Sequence, residues 1–281
     1  MMSLFEIMAC FLYYSFMGWC LEVVYHGVSH GSIVNRGFLN GPLCPIYGFG
    51  MVSVLLLLEP FSDQLLLLYL GGMTFATAIE LFGGWALYRL FSMRWWDYSK
   101  EPLNLGGYIC LKFSLAWGFC IVFVIRCVHP VTRLQIAFFN RPLGHILLTI
   151  LYAALAADLI NTVMTVLHLN RDLKRVNKIA SDLRRFSDNL TDQLGSQSID
   201  AAIRVQESRV QSTLARYEME EELGALRKKM LSHTHVGYGR LFRAFPDLRH
   251  KEYAIELQES IESLRMKLEE HRKDQKESQT R

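Results

Sequence analysis

Charge is what the first part of this 281-residue sequence lacks. Residues 1–169 hold 8 Lys/Arg and 8 Asp/Glu, against 22 and 19 in residues 170–281. An overall 51% hydrophobic content and a mean hydropathy of +0.16 average over these two unlike halves. A stretch so poor in charge cannot cover a water-facing surface, so residues 1–169 read as a transmembrane domain and residues 170–281 as a charged helical tail, divided near Leu169–Asn170. The tail also lacks cysteine. All six cysteines (Cys10, Cys20, Cys44, Cys110, Cys120 and Cys127) lie in the apolar half, without metal-ligand spacing. They read as buried apolar thiols rather than disulfides, and no metal is expected. His26 and His30 lie far from Cys44, and His233 and His235 stand apart in the tail, so neither pair makes a metal site.

Other absences narrow the function. No G-x-x-x-x-G-K-[ST] phosphate loop occurs, which excludes an ATPase of that type on this chain. The first apolar run has neither a charged n-region nor a small-residue cleavage site, so it is expected to be retained as a helix. No Ser/His/Asp or Cys/His set is legible, which leaves catalytic residues unassigned and calls for no cofactor. Basic and acidic residues alternate in the tail without a dense positive face, which argues against nucleic acid as a partner.

What is present is a series of five apolar runs, and the fold class they define is an all-α membrane protein. They cover about Leu4–Tyr25, Pro45–Leu58, Leu65–Phe91, Gly107–Val128 and Leu143–Leu167. The second is short for a hydrocarbon core of ~30 Å and would be tilted or partly re-entrant. Ile136–Phe139 is too short to cross and is expected at the interface. The 59–64 loop has no Lys or Arg, whereas the 89–106 loop has Arg89, Arg94 and Lys100 and the tail opens with a dense basic run. That bias places the C-terminus in the cytoplasm and the N-terminus outside; Arg126, Arg133 and Arg141 count against it.

The chain is organised around NRGFLNGPLCPIYGFG, Asn35–Gly50. Its glycines and its prolines Pro42 and Pro45 rule out a long regular helix before Pro45. Lipid cannot satisfy an irregular backbone, so this loop is expected to fold onto a polar site. Glu22, Glu80, Lys112, Asp158 and Asn161 fall at similar depth in their spans. Ionised groups there cost a few kcal/mol unless paired, so a shared cluster balanced by Lys112 and Arg36 is expected. Glu22 and Glu80 suit acid/base or proton-relay chemistry, or else interhelical hydrogen bonding. Asn35-Arg36 suits a phosphate, or else a basic anchor and turn. Arg94–Ser99, RWWDYS, reads as an interfacial aromatic belt or as a belt that also shapes a ligand site around Asp97.

In the tail, Leu169, Leu173, Val176, Ala180, Leu183, Ser187, Leu190 and Leu194 form a heptad seam, and Ala254–His271 form another. Ile199–Leu231 reads as a charged helix, and residues 232–247 as a break with two glycines and a proline. The seams fit a coiled coil or bundle that pairs with itself or with a partner helix.

Several of these segments, in order, resemble a bacterial membrane family, the putative ABC-transporter type IV proteins or putative ABC transporter permeases. They are Ser15-Phe16-Met17-Gly18-Trp19 with Glu22, the Asn35–Gly50 stretch, Glu80 with Gly83-Gly84, Arg94–Ser99, Asn104, Gly107, and Ile109–Ser114 running to Trp117-Gly118. The resemblance covers about residues 3–130. Arg240–Pro246, RLFRAFP, is similar to a segment of some members. It implies a permease-like protein of the bacterial plasma membrane that takes ATP hydrolysis from a separate ATPase subunit. The candidate ligand residues are Glu22, Asn35, Arg36, Glu80, Trp96, Asp97, Tyr98, Asn104 and Lys112, with membrane lipid as surroundings. The alternatives are an enzyme acting on a lipid or lipid-linked headgroup, and a scaffold or regulator acting through its tail.

Overall fold

The computed structural model describes residues 2–31 and 33–193, together with Glu221, Ala225, Arg240, Leu241, Ala244, Phe245, Arg249 and His250. It forms two compact units: Met1–Met164 with Arg240–Lys251, and Thr165–Gly239 with Glu252–Arg281.

The first unit is built of helices. Helix α1, Leu4–His30, starts at a capping box: Ser3 Oγ accepts from Glu6 N and Glu6 reaches back to Ser3 N at 2.6 Å. It stops at Gly31, which takes the left-handed conformation (φ 65°). Helix α2, Pro45–Leu58, opens on a proline whose missing N–H costs nothing at that position, and runs into a short 3₁₀ turn over Glu59–Phe61. Helix α3 is Leu65–Phe91. Helices α4 (Leu111–Phe123) and α5 (His129–Phe139) are joined without a break by a π turn over Val124–Val128. Helix α6 starts at Pro142 and continues to Gln193.

Two of the sequence expectations change here. The fourth span starts at Leu111, not Gly107, because residues 104–110 form a small hairpin of β2 (Asn104–Leu105) and β3 (Ile109–Cys110). Ile136–Phe139 is not a separate interfacial piece but the end of a continuous apolar helix, Leu111–Phe139. Arg126, Pro130 and Arg133 interrupt the hydropathy there without interrupting the helix. Pro130 cannot donate to the residue a turn earlier and its ring would strike that carbonyl; the wider π turn, in which His129 N bonds Val124 O, makes room for it.

Leu4–Ser29, Leu65–Phe91, Leu111–Phe139 and Pro142–Arg175 are long and apolar enough to cross a membrane; Pro45–Phe61 is shorter. Large apolar side chains such as Leu66, Phe82, Leu90, Phe119 and Leu143 are exposed along them, which in water would be untenable and in lipid is expected. The helices alternate in direction. At one end Phe5 of α1 meets His145 of α6 (ring centroids 4.4 Å), and Arg133 of α5 pairs with Glu59 at 3.6 Å. Arg126, also at that end, pairs with Asp63 at 3.8 Å. Arg126 and Arg133 are thus partners of the acids of the 59–63 loop. At the core between them Cys10, Tyr14, Val54, Leu55, Leu68, Ile121 and Ile136 are buried together. Tyr14 Oη and His129 Nδ1 satisfy each other at 2.9 Å.

In the second unit the described chain is the continuation of α6, which passes through residues 169–170 unbroken, with Leu169, Leu173 and Ile179 buried. The side chains at 176, 180 and beyond 182 of the expected seam lie outside the described residues. So do the seam at 254–271 and the helix at 199–231, apart from Glu221 and Ala225, which are helical.

Candidate functional site

The other end of the first unit carries the polar residues. Glu22 lies on α1 two turns before its end. Tyr47 Oη, in the first turn of α2, donates to Glu22 Oε1 at 2.6 Å. Gly18 makes this approach feasible, since a Cβ there would sit 2.2 Å from Tyr47 Cγ. Arg36 Nε stands 3.7 Å from Glu22 Oε2, an ion pair too long to be a hydrogen bond. The Arg36 side chain is 15% exposed, and its buried Nε has no hydrogen-bond partner among the described residues.

Glu80, on α3, is held from two other elements. Tyr98 Oη donates to its Oε1 at 2.9 Å and Trp117 Nε1, on α4, to its Oε2 at 3.3 Å. Among the described residues no Lys or Arg pairs with it. Tyr98 stacks on Phe113 at 4.9 Å; burial, with the Glu80 carboxyl next to it, pushes its hydroxyl well above the usual phenol range, so it stays a donor. Trp117 meets Tyr47 edge-on at 5.8 Å. The two glutamates therefore share one aromatic wall.

Tyr98 reaches Glu80 because the 92–110 loop is tightly braced. Asp97 Oδ1 accepts from Ser99 N at 2.9 Å and from Ser99 Oγ, and lies 3.8 Å from Arg94 Nη1. Arg94 sits over Tyr108 (4.7 Å) and Tyr88 (5.6 Å) and donates to Gly106 O. Asn104 Nδ2 donates to Glu101 O at 2.8 Å, and its Oδ1 accepts from Gly107 N at 3.1 Å. Trp96 Nε1 donates to Tyr108 O at 2.9 Å. Gly107 has φ 74°, and a Cβ there would lie 2.6 Å from both Asp97 Oδ1 and Ser99 Oγ. Trp96, Asp97 and Asn104 thus shape the loop, and Tyr98 reaches from it to Glu80. Trp95, read as part of an interfacial aromatic belt at headgroup level, is buried between Phe38 (5.1 Å) and Phe245 (4.8 Å).

The expected single cluster is not formed as drawn. Lys112 is 65% exposed and pairs with Glu101 at 3.5 Å, outside the pair of glutamates. Asp158, on α6, serves the α1–α2 connection: its Oδ1 accepts from Asn40 N (3.2 Å) and Asn40 Nδ2 (3.0 Å), and its Oδ2 from Gly41 N (2.7 Å). Asn161 is exposed on the same helix.

The Asn35–Cys44 backbone is irregular, and groups of the protein bond to it at several points. Asn35 Oδ1 accepts from Trp19 Nε1 (2.8 Å) and Gly37 N (3.0 Å), and Asn35 Nδ2 donates to Asn40 O (2.7 Å). Cys44 N donates to Ser15 O at 2.9 Å, and burial pushes the Cys44 thiol up to about 12. Arg240, from far along the chain, donates to Gly37 O and Phe38 O, each at 2.9 Å.

Sequence reasoning missed Tyr47, Trp117, Asn40 and Arg240 as partners. The available signal was chemical: a carboxylate on an apolar helix needs a donor, and Tyr and Trp are the donors such helices carry. Among the described residues no group of three His, Cys, Asp or Glu could hold a metal ion.

Long apolar helices with lipid-suited exteriors, closed at one end by a polar aromatic cluster, define a multi-pass membrane protein. Within that class the chain belongs to the family described as Putative ABC-transporter type IV, which matches residues 9–163. The match includes Glu22, Glu80, Tyr98, Trp117 and Asp158 and extends past the stretch that carries the resemblance in the sequence. No curated protein and no solved structure matches the chain.

Proposed function

We propose that this protein is the permease-like membrane component of a transport system, and that Glu22 and Glu80 with Tyr47, Tyr98 and Trp117 form an acidic, aromatic-walled site for a positively charged group. The observation that carries this reading is Glu80. It sits within a span, each carboxyl oxygen has a neutral donor, and no cation pairs with it among the described residues. An ionised carboxyl so placed costs a few kcal/mol, which an arriving cation would relieve. Aromatic faces add cation–π attraction of roughly 1–2 kcal/mol when desolvated. ATP hydrolysis would come from a separate subunit, since the sequence has no phosphate loop. The Lys/Arg balance puts the site and the tail on the cytoplasmic side.

The test is native mass spectrometry of the protein in lipid nanodiscs, wild type beside Glu80→Gln and Glu22→Gln. A retained cationic metabolite or lipid that both variants lose supports the site. Retention unchanged in both variants removes it.

Arg36 favours a second reading, an enzyme or carrier for a phosphate-bearing headgroup. A largely buried guanidinium whose Nε has no hydrogen-bond partner among the described residues is suited to a phosphate. In the same measurement that reading predicts an anionic lipid lost on Arg36→Ala and kept in Glu80→Gln.

A further inference from the structure

Arg240 lies about 200 positions from the loop it touches, yet belongs to the same compact unit. Its guanidinium spans two successive carbonyls, Gly37 O through Nη1 and Phe38 O through Nη2, both at 2.9 Å. The residue is 6% exposed. Around it the same short segment makes two more attachments. Phe245 lies edge-on to Trp95, which is edge-on to Phe38. β4 (Arg249–His250) pairs antiparallel with β1 (Met93–Arg94), at the start of the loop that carries Tyr98. Arg240, Phe245 and β4 therefore bind both loops that bring partners to the glutamates: the one holding Arg36 and the one holding Tyr98.

We propose that Arg240 is a positioning residue: its two-carbonyl clamp fixes the Asn35–Gly41 loop. The carbonyls it holds are those immediately after Arg36, so the clamp sets where Arg36 stands relative to Glu22. The planar fork of a guanidinium can bridge neighbouring carbonyls; a lysine ammonium on its flexible stem can serve one well and not both. Without the clamp, Gly37 O and Phe38 O lose charge-assisted partners in a place with little water to replace them. The inference is independent of what the glutamate site carries.

The buried thiol of Cys44, at the end of this loop, reports on it. In full-length protein in detergent, modification of Cys44 by N-ethylmaleimide is followed by peptide mass spectrometry. Arg240→Ala is expected to react at least about tenfold faster than wild type, because the loop opens locally when its two clamps are lost. Guanidinium ion, at a concentration that leaves wild type folded, should restore protection, and methylammonium should not. Arg133→Ala, which removes a guanidinium from the other end, should leave Cys44 unchanged. An Arg240→Ala protein with the wild-type Cys44 rate overturns the clamp, as does faster modification that guanidinium fails to slow or that methylammonium slows equally. Should Arg240→Ala not fold, Arg240→Lys decides: an intermediate Cys44 rate supports the clamp, and a wild-type rate overturns it.

Discussion

Tyr98 donates a 2.9 Å hydrogen bond to Glu80, from a braced loop onto the helix that precedes it. This bond ties an aromatic-rich loop to a carboxylate on an apolar helix. Tyr98→Phe keeps the stacking on Phe113 and removes only the donor. The expected cost is roughly 1 kcal/mol, seen as a lower melting temperature in detergent. A melting temperature equal to wild type would mean that water or another donor takes over.

Tyr47 and Glu22 should behave as a coupled pair. A double-mutant cycle of Tyr47→Phe and Glu22→Gln is expected to give a coupling of about 1 kcal/mol by thermal denaturation. Strict additivity would separate them.

Asp158 accepts three donors from Asn40 and Gly41. Asp158→Ala takes the acceptor from the Asn40 and Gly41 amides, while Asn40 Nδ2 keeps Thr162 Oγ1 at 3.0 Å, and should destabilise by about 2–4 kcal/mol. Hydrogen exchange at the Asn40 and Gly41 amides should accelerate while the α3 amides change far less. Equal acceleration everywhere would mean global loosening instead.

Gly107 should not accept a side chain. At φ 74°, with Asp97 Oδ1 and Ser99 Oγ 2.6 Å from the added Cβ, Gly107→Ala costs about 1–3 kcal/mol and frees Tyr98. Combined with Tyr98→Phe the loss should be less than additive, which a melting comparison of the two single variants and the double variant would read.

Burial raises the Cys44 thiol to about 12, from an ordinary value of 9.0. In the folded protein its alkylation rate should still climb at pH 10, where the same thiol in unfolded chain has levelled. The sign follows from burial favouring the neutral thiol: this contribution to stability is complete below pH about 9 and is lost as pH rises toward about 12. A folded-state plateau near pH 9 would contradict it.

How much of this was readable in the chain varies by element. The bounds of α2 and α3 follow from Pro45, Glu59-Pro60 and the polar residues after Phe91, because apolar runs closed by breakers are local signals. The α4–α5 helix was cut short because Arg126, Pro130 and Arg133 look like an ending; a π turn and ion pairs to Glu59 and Asp63 absorb them. Glu22 and Glu80 stood out because carboxylates are costly in a span. Lys112 was drawn in by its depth alone, and a nearer acid, Glu101, took it.

The sequence by itself determined that this chain lives in a membrane and where α2 and α3 begin and end, since composition and periodicity act over short distances; its motifs, in order, carry the family resemblance. Only the tertiary structure decided which donors reach Glu22 and Glu80, that Asp158 serves the α1–α2 loop, and that Arg240 holds that loop. Those contacts join residues 25, 37, 117 and 203 positions apart. Helix packing brings such residues together, and nothing in the local pattern of either partner encodes the other.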